Sequence, residues 1–322
     1  MSFADITGNS RVKNILKKGL EKKRLPNSLL LCGPDGVGKG ETAFVLAKAL
    51  NCLNKHDDSC EECVNCRAIQ KGNFPDVLVL SPEKDVIKIE KIRELKQTAY
   101  LKPMVGRERV FIIFEAEKMT EPASHSLLKI LEEPPSFSHI LLTSRNPHLI
   151  LSTIRSRCQI LTFSPILSKD IFEKLIQEGC DQEKAGLISV LVRGNLKKAM
   201  DLDWDKVQSQ RKFVWDLFIA LSRGNNAAEM LKALTTSRKD FRKILGRHLE
   251  LLITLMRDFL LIKSNGARRM LLNPDYADKI EELTGELKIE DAMTHLGRLE
   301  TAFYSLQKRV NSNLIVCSLF TE

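Results

Sequence analysis

The segment Gly33-Pro34-Asp35-Gly36-Val37-Gly38-Lys39-Gly40 follows a short apolar run and precedes a stretch with helical apolar spacing. Glycines at this spacing let backbone N–H groups converge, and a lysine at the start of a helix adds a positive charge. Together these suit phosphate oxygens. Gly33, Gly36, Gly38 and Lys39 are therefore the candidate nucleotide-binding residues. Hydrolysis at such a loop also needs a hydroxyl after the lysine to hold Mg²⁺, and an acid at the end of a neighbouring apolar strand. Gly40 stands in the first position and Phe114, after the run Val110 to Ile113, in the second. Thr42 lies about 200° further around the helix and cannot simply substitute. Glu115 resembles a water-activating carboxylate with no metal to serve it. Read as two independent losses, Gly40 and Phe114 predict that nucleotide is hydrolysed poorly or not at all, while Lys39 leaves binding open.

A second constellation is Cys52, Cys60, Cys63 and Cys66, spaced C-x7-C-x2-C-x2-C. Each C-x2-C step makes a tight turn that converges thiolates. Four thiolates without a histidine fit a closed, tetrahedral structural Zn²⁺ site. An Fe–S cluster also takes four cysteines, but no redox feature accompanies this one, which favours zinc. His56, in the intervening loop, reads as solvated. Cys32, Cys158, Cys180 and Cys317 read as buried small residues or inert thiols.

These groups need a scaffold. Ser28 to Cys32, Val77 to Leu80, Arg109 to Phe114, Ile140 to Thr143 and Ile160 to Phe163 read as buried strands. Glu41 to Asn51, Val86 to Leu101 and Glu121 to Glu133 read as helices between them. Strands alternating with helices predict a parallel sheet covered on both faces. Beyond Pro165 the strand signals stop. Asp170 to Glu178 and Gln182 to Val192 read as short amphipathic helices. Longer ones follow from about Trp204, with turns at Gly224-Asn225, Gly266 and Asn273-Pro274. The expected domains are 1–165, α/β with the phosphate loop and the four-cysteine zinc module; 166–204, a small helical lid; and 205–322, all-α.

The 322 residues suit two or three domains, and 43% hydrophobic with 28% charged residues suit a globular chain. There is no apolar run of about 18 residues and no basic-then-apolar leader, so no membrane is expected and the cytoplasm is. The net charge is +9, with +6 up to Pro165 and +3 beyond. That excess permits phosphate contacts and equally suits a lysine-rich soluble surface.

Several segments together carry a resemblance. Phe3-Ala4-Asp5-Ile6-Thr7-Gly8, the loop Leu29 to Lys39, the four cysteines, Ser126-Leu127-Leu128-Lys129-Ile130-Leu131-Glu132-Glu133-Pro134-Pro135, Thr153-Ile154-Arg155-Ser156-Arg157-Cys158, and Val310-Asn311 with Leu314 run nearly end to end. The chain resembles clamp-loader subunits of the AAA+ class, and among them the delta-prime type of bacterial DNA polymerase III. The resemblance implies a RecA-like AAA+ domain with a zinc module, a helical lid and a C-terminal helical collar.

It further implies that Arg157 of Ser156-Arg157-Cys158 is an arginine finger, offered to ATP on an adjacent subunit to stabilise charge on the γ-phosphate. In Gly194-Asn195-Leu196-Lys197, Lys197 stands in the place of the family's second sensor arginine and would meet phosphate only as a point charge. His125 stands where the family has Asn, a change with no physical account. The implied role is that of a stator in a five-subunit ring whose ATP-driven members (tau/gamma, with delta) open a sliding clamp and place it on primed DNA. The basic helix Arg11 to Arg24 then reads either as a DNA-facing surface or as a solvated face. Two rivals stand beside this reading. An active motor ATPase of tau/gamma type is opposed by Gly40 and Phe114. A DNA-binding adaptor outside any ring leaves Arg157 without a purpose.

Overall fold

The computed structural model describes residues 1–223, 241–308 and 310–319. The expected turn at Gly224-Asn225 lies outside them. The described chain forms two compact units, Met1–Asp181 with Val192–Met200, and Gln182–Leu191 with Asp201–Glu322.

The first unit is built on five strands: β1 (Ser28–Cys32), β2 (Val77–Leu80), β3 (Arg109–Ile113), β4 (Ser138–Ser144) and β5 (Gln159–Thr162). Their order is β2-β3-β4-β1-β5 and every pairing is parallel. The three inner strands are buried along their whole length, as continuous β-branched and leucine runs require when both faces are covered. Helices α1 (Ser10–Glu21), α2 (Lys39–Asn51), α3 (Val64–Gln70), α4 (Ile89–Ala99), α5 (Glu121–Glu132), α6 (Ser152–Arg155) and α7 (Ser168–Gln177) connect and flank the strands. On one face Leu30, Phe111, Ile113, Ile140 and Leu142 form a core with Ile92 and Leu95 of α4 and Leu127 and Ile130 of α5. Strand residues alternate between faces, so Leu29, Leu31, Ile112 and Leu141 are buried toward the opposite side, where α2 meets β3 and β4.

Two strands differ from their expected state. β2 is half-buried, with Val79 exposed, because it lies at the sheet edge; β5, at the other edge, buries only Leu161. The helix expected from Val86 begins only at Ile89, since Val86 and Ile87 form isolated bridges to Glu83 and Met119. Asp76, fully buried ahead of β2, fixes the chain entering β3. It accepts from the backbone N–H groups of Met104, Val105 and Gly106, each at 2.8 Å, and from Arg109 Nη2 at 2.9 Å. Burial alone would raise its pKa; those three N–H groups and the Arg109 charge hold it below the usual range.

The second unit is helical: α8 (Gln182–Leu191), α10 (Trp204–Ser222), α11 (Phe241–Lys263), α12 (Ala277–Leu283), α13 (Ile289–Gln307) and α14 (Ser312–Ser318), while α9 (Leu196–Met200) belongs to the first. Val214, Leu217, Phe218, Leu249, Leu252, Phe259, Ile280 and Leu299 lead its core. The Asn273-Pro274 turn is fixed by buried polar groups. Asp258 accepts from Leu272 N at 3.0 Å and Asn273 N at 2.7 Å, and Arg211 reaches both oxygens of Asp275 at 2.7 Å. No described helix is long and apolar enough to cross a membrane.

Candidate functional site

The phosphate loop leaves the C-terminal end of β1 and opens α2, at the crevice where open parallel sheets take ligands. Gly33, Gly36 and Gly38 all have positive φ, at 150°, 71° and 93°. A Cβ on Gly33 would fall 2.5 Å from Phe163 O, and one on Gly36 would fall 1.8 Å from Asn195 Oδ1. Lys39 Nζ donates to the loop's own carbonyls, Gly33 O and Pro34 O, each at 2.5 Å. Burial lowers its pKa, and the neighbouring carboxylates Asp35 and Glu117 oppose that. Asp35 pairs with Arg145 at 3.1 Å, and Glu117 Oε1 accepts from Arg145 N at 3.2 Å.

The place where Mg²⁺ would be held is apolar. A Cβ on Gly40 would meet Phe114 Cε1 at 3.1 Å, and the Phe114 and Phe44 ring centroids are 5.9 Å apart. Gly40 and Phe114, read separately from the sequence, are thus neighbours in the fold. One ring lies against residue 40, so a side chain there would need the ring to give by a few tenths of an ångström. Thr42 is fully buried and spends its hydroxyl on Gly38 O at 2.6 Å, which removes it as a substitute. Glu115 has left-handed backbone, φ 49°, and pairs with Lys118 at 2.6 Å rather than facing the loop.

The four cysteines come together. Cys52 closes α2, Cys63 caps α3, Cys66 lies in its first turn, and all four sulfurs lie within 4.8 Å of one another. Tetrahedral thiolates at about 2.3 Å from Zn²⁺ stand roughly 3.8 Å apart, so the cluster can hold a metal ion with small adjustment. Backbone N–H groups of Lys55, Cys63 and Cys66 donate to Cys52, Cys60 and Cys63 sulfurs at 3.3–3.4 Å, which favours thiolates. Burial works against ionisation at Cys60, yet N–H groups of Cys63 and Glu62 with the thiols of Cys52 and Cys63 bring it to about 6; burial pushes Cys66 up. His56 faces Arg107 at 3.3 Å, outside the cluster. Of the other cysteines, Cys32 is buried, Cys158 and Cys180 are half-buried and Cys317 is exposed.

Arg157 follows α6, on a side chain 34% exposed. Its Nε and Nη2 donate to Glu132 Oε1 at 3.0 and 2.6 Å, and its Nη1 donates to Thr153 O at 2.9 Å. Ser156 is exposed; its hydroxyl donates to Thr153 O at 3.0 Å and lies 3.3 Å from Arg157 Nη1. Arg155 turns away toward His148. Arg157 is thus not gathered at its own chain's phosphate loop. Lys197 is exposed; Asn195 instead reaches the loop, and Leu196 N donates to Gly36 O at 3.0 Å. Asn195, Glu117 and Glu132 were missed as site residues, because each acts through a contact between distant segments that residue spacing does not encode. In α1, Lys13 donates to Ile6 O at 2.6 Å and Lys17 pairs with Asp58 at 3.2 Å, leaving Arg11 and Lys18 as its exposed cations; the helix ends at Glu21 rather than Arg24, and the exposed Lys22, Lys23 and Arg24 follow it. His125 is exposed, 3.8 Å from Glu121.

Residues 8–167 match a family model described as "DNA polymerase III, delta subunit", and residues 205–322 one described as "DNA polymerase III, delta subunit, C terminal". DNA polymerase III subunit delta' of Bacillus subtilis (strain 168) is 29% identical over 313 residues, covering 96% of this chain and 93% of that protein. DNA polymerase III subunit tau/gamma of Haemophilus influenzae is 30% identical over 284 residues, covering 80% of this chain and 41% of the relative. Among solved structures, a DNA polymerase III gamma subunit-related protein of Thermotoga maritima aligns with a TM-score of 0.41 at 19% identity, over 92% of this chain and 99% of that one.

Proposed function

This chain belongs to the clamp-loader family of DNA polymerase III, and we propose that within it the chain is a non-hydrolysing stator of delta-prime type. It gives Arg157 to ATP bound on a neighbouring subunit and helps place a sliding clamp on primed DNA. Phe114 against Gly40 is the observation that carries the reading: an aromatic ring beside residue 40 denies the chain's own loop a metal. Arg157 supports it from the other side, since its partly exposed guanidinium lies away from its own loop, paired with Glu132. The cysteine cluster holds Zn²⁺ in a structural role, with all four positions taken by protein and none open to substrate. The working division is 1–165, 166–204 and 205–322, with the last part as the collar that meets tau/gamma and delta subunits. The chain acts in the cytoplasm with the replisome.

A motor subunit of tau/gamma type is the rival, and the 30% identity to the Haemophilus protein favours it. The test separates the two. ATP turnover is measured for the isolated chain and for a reconstituted loader carrying wild-type chain or Arg157→Ala. The stator reading expects a silent isolated chain and an assembled loader slowed at least tenfold by Arg157→Ala, against roughly 10³–10⁵ for fingers supplied in trans to GTPases. Turnover by the isolated chain at the rate of its partners would establish the motor.

A further inference from the structure

The contact between Arg157 and Glu132 bears on how the finger is controlled. Nε and Nη2 share Glu132 Oε1, while Nη1 is divided between Thr153 O and Ser156 Oγ. A guanidinium has five N–H donors, so its own chain occupies most of them. Paired with a carboxylate at 2.6 Å, it also presents little net charge to anything approaching. Such an arginine cannot stabilise a γ-phosphate without first leaving Glu132. The pair is open to exchange, because both side chains are partly exposed, at 34% and 49%, and only one carboxylate oxygen is engaged.

Helix stability does not account for Glu132. It is the last residue of α5, followed directly by Glu133. A carboxylate there faces the negative end of the helix dipole. The Arg157 contact compensates for that placement. A terminal phosphate offers more charge and three oxygens, and so competes well for the same guanidinium.

We propose that Glu132 is a latch. It holds Arg157 on its own subunit until a triphosphate on the neighbour draws the guanidinium away, and takes it back when the γ-phosphate leaves. Glu132 acts only through Arg157, so it is a positioning residue, and the proposal rests on the finger reading above.

The experiment uses the reconstituted loader with a fluorescent ATP analogue, reading Kd at the neighbouring site and turnover for wild type, Glu132→Gln, Glu132→Asp, Arg157→Ala and the double variant Arg157→Ala/Glu132→Gln. Removing the carboxylate's charge should tighten nucleotide binding about threefold, the scale a partly exposed ion pair can withhold. Glu132→Asp should behave as wild type, the double variant should match Arg157→Ala alone, and the Tm of the isolated Glu132→Gln chain should stay within about 2 °C of wild type. Weaker binding or slower turnover in Glu132→Gln, in step with Arg157→Ala, would make Glu132 a support rather than a latch. An unchanged Kd, or equal tightening in the Arg157→Ala background, would also overturn the latch. If Arg157→Ala leaves turnover intact, the finger reading itself falls, and the latch with it.

Discussion

Gly40 and Phe114 show how two residue types can each be legible while their relation is not. The missing hydroxyl and the missing acid can be read from the phosphate-loop and strand patterns alone. Their contact cannot, because no periodicity ties the first turn of a helix to the end of a non-adjacent strand. Once the Cβ-to-ring approach of 3.1 Å is known, restoring one residue becomes futile. Gly40→Thr must displace the Phe114 ring, an overpacking that costs about 1–3 kcal/mol, and is expected to gain no metal. Gly40→Thr/Phe114→Asp removes the ring and supplies both ligands. Calorimetric titration of each variant with a non-hydrolysable ATP analogue, with and without Mg²⁺, should show metal-dependent binding only in the double variant. A metal-dependent gain from Gly40→Thr alone would mean that the ring yields and the site is not blocked.

At the scale of elements, the sheet and its helices follow from the apolar runs, and the cysteine turns follow from C-x2-C spacing. What spacing could not supply is the attachment of the cysteine loop. Asp58 accepts from Phe3 N at 3.0 Å and pairs with Lys17 of α1, while Glu61 pairs with the buried Lys48 of α2 at 2.7 Å and accepts from Ser59 Oγ at 2.5 Å. The segment so held continues to the phosphate loop: Ile6 lies where a Cβ on Gly38 would be 3.1 Å away, and Asn9 Nδ2 donates to Val37 O at 3.3 Å. The metal loop, the leading segment and the phosphate loop thus form one connected strap, and its acids come from the loop that the thiolates close. Removing the metal, by chelation or by Cys60→Ser, should therefore speed amide exchange in residues 52–66 and also in residues 3–9, while β3 and β4 keep their protection. Hydrogen-exchange mass spectrometry beside a metal assay checks this. Exchange confined to 52–66 would show that the leading segment is held without the metal.

At the scale of the whole molecule, composition indicated a multi-domain globular chain, and the shift from alternating strands to helices alone marked where its character changes. The positive excess was less informative. Part of the basic stretch in α1 is consumed internally, by Ile6 O and Asp58, so net charge overstates what is free to meet phosphates. Whether the chain binds nucleotide by itself is likewise a global property, because any ligand of the folded state raises its stability by mass action. Binding at a hundred times Kd contributes about 2.7 kcal/mol, which for a chain of this length raises Tm by roughly 4 °C. On the stator reading the chain's own loop takes no metal, with Phe114 against Gly40 and the carboxylates Asp35 and Glu117 near Lys39. Calorimetric melting of the isolated chain should therefore show the same Tm with ATP and with ATP plus Mg²⁺, in buffer free of chelators so that the proposed zinc site is not stripped. A rise of several degrees that appears only with Mg²⁺ would mean that the chain assembles a working metal–nucleotide site despite Phe114, and would favour the motor reading over the proposed stator.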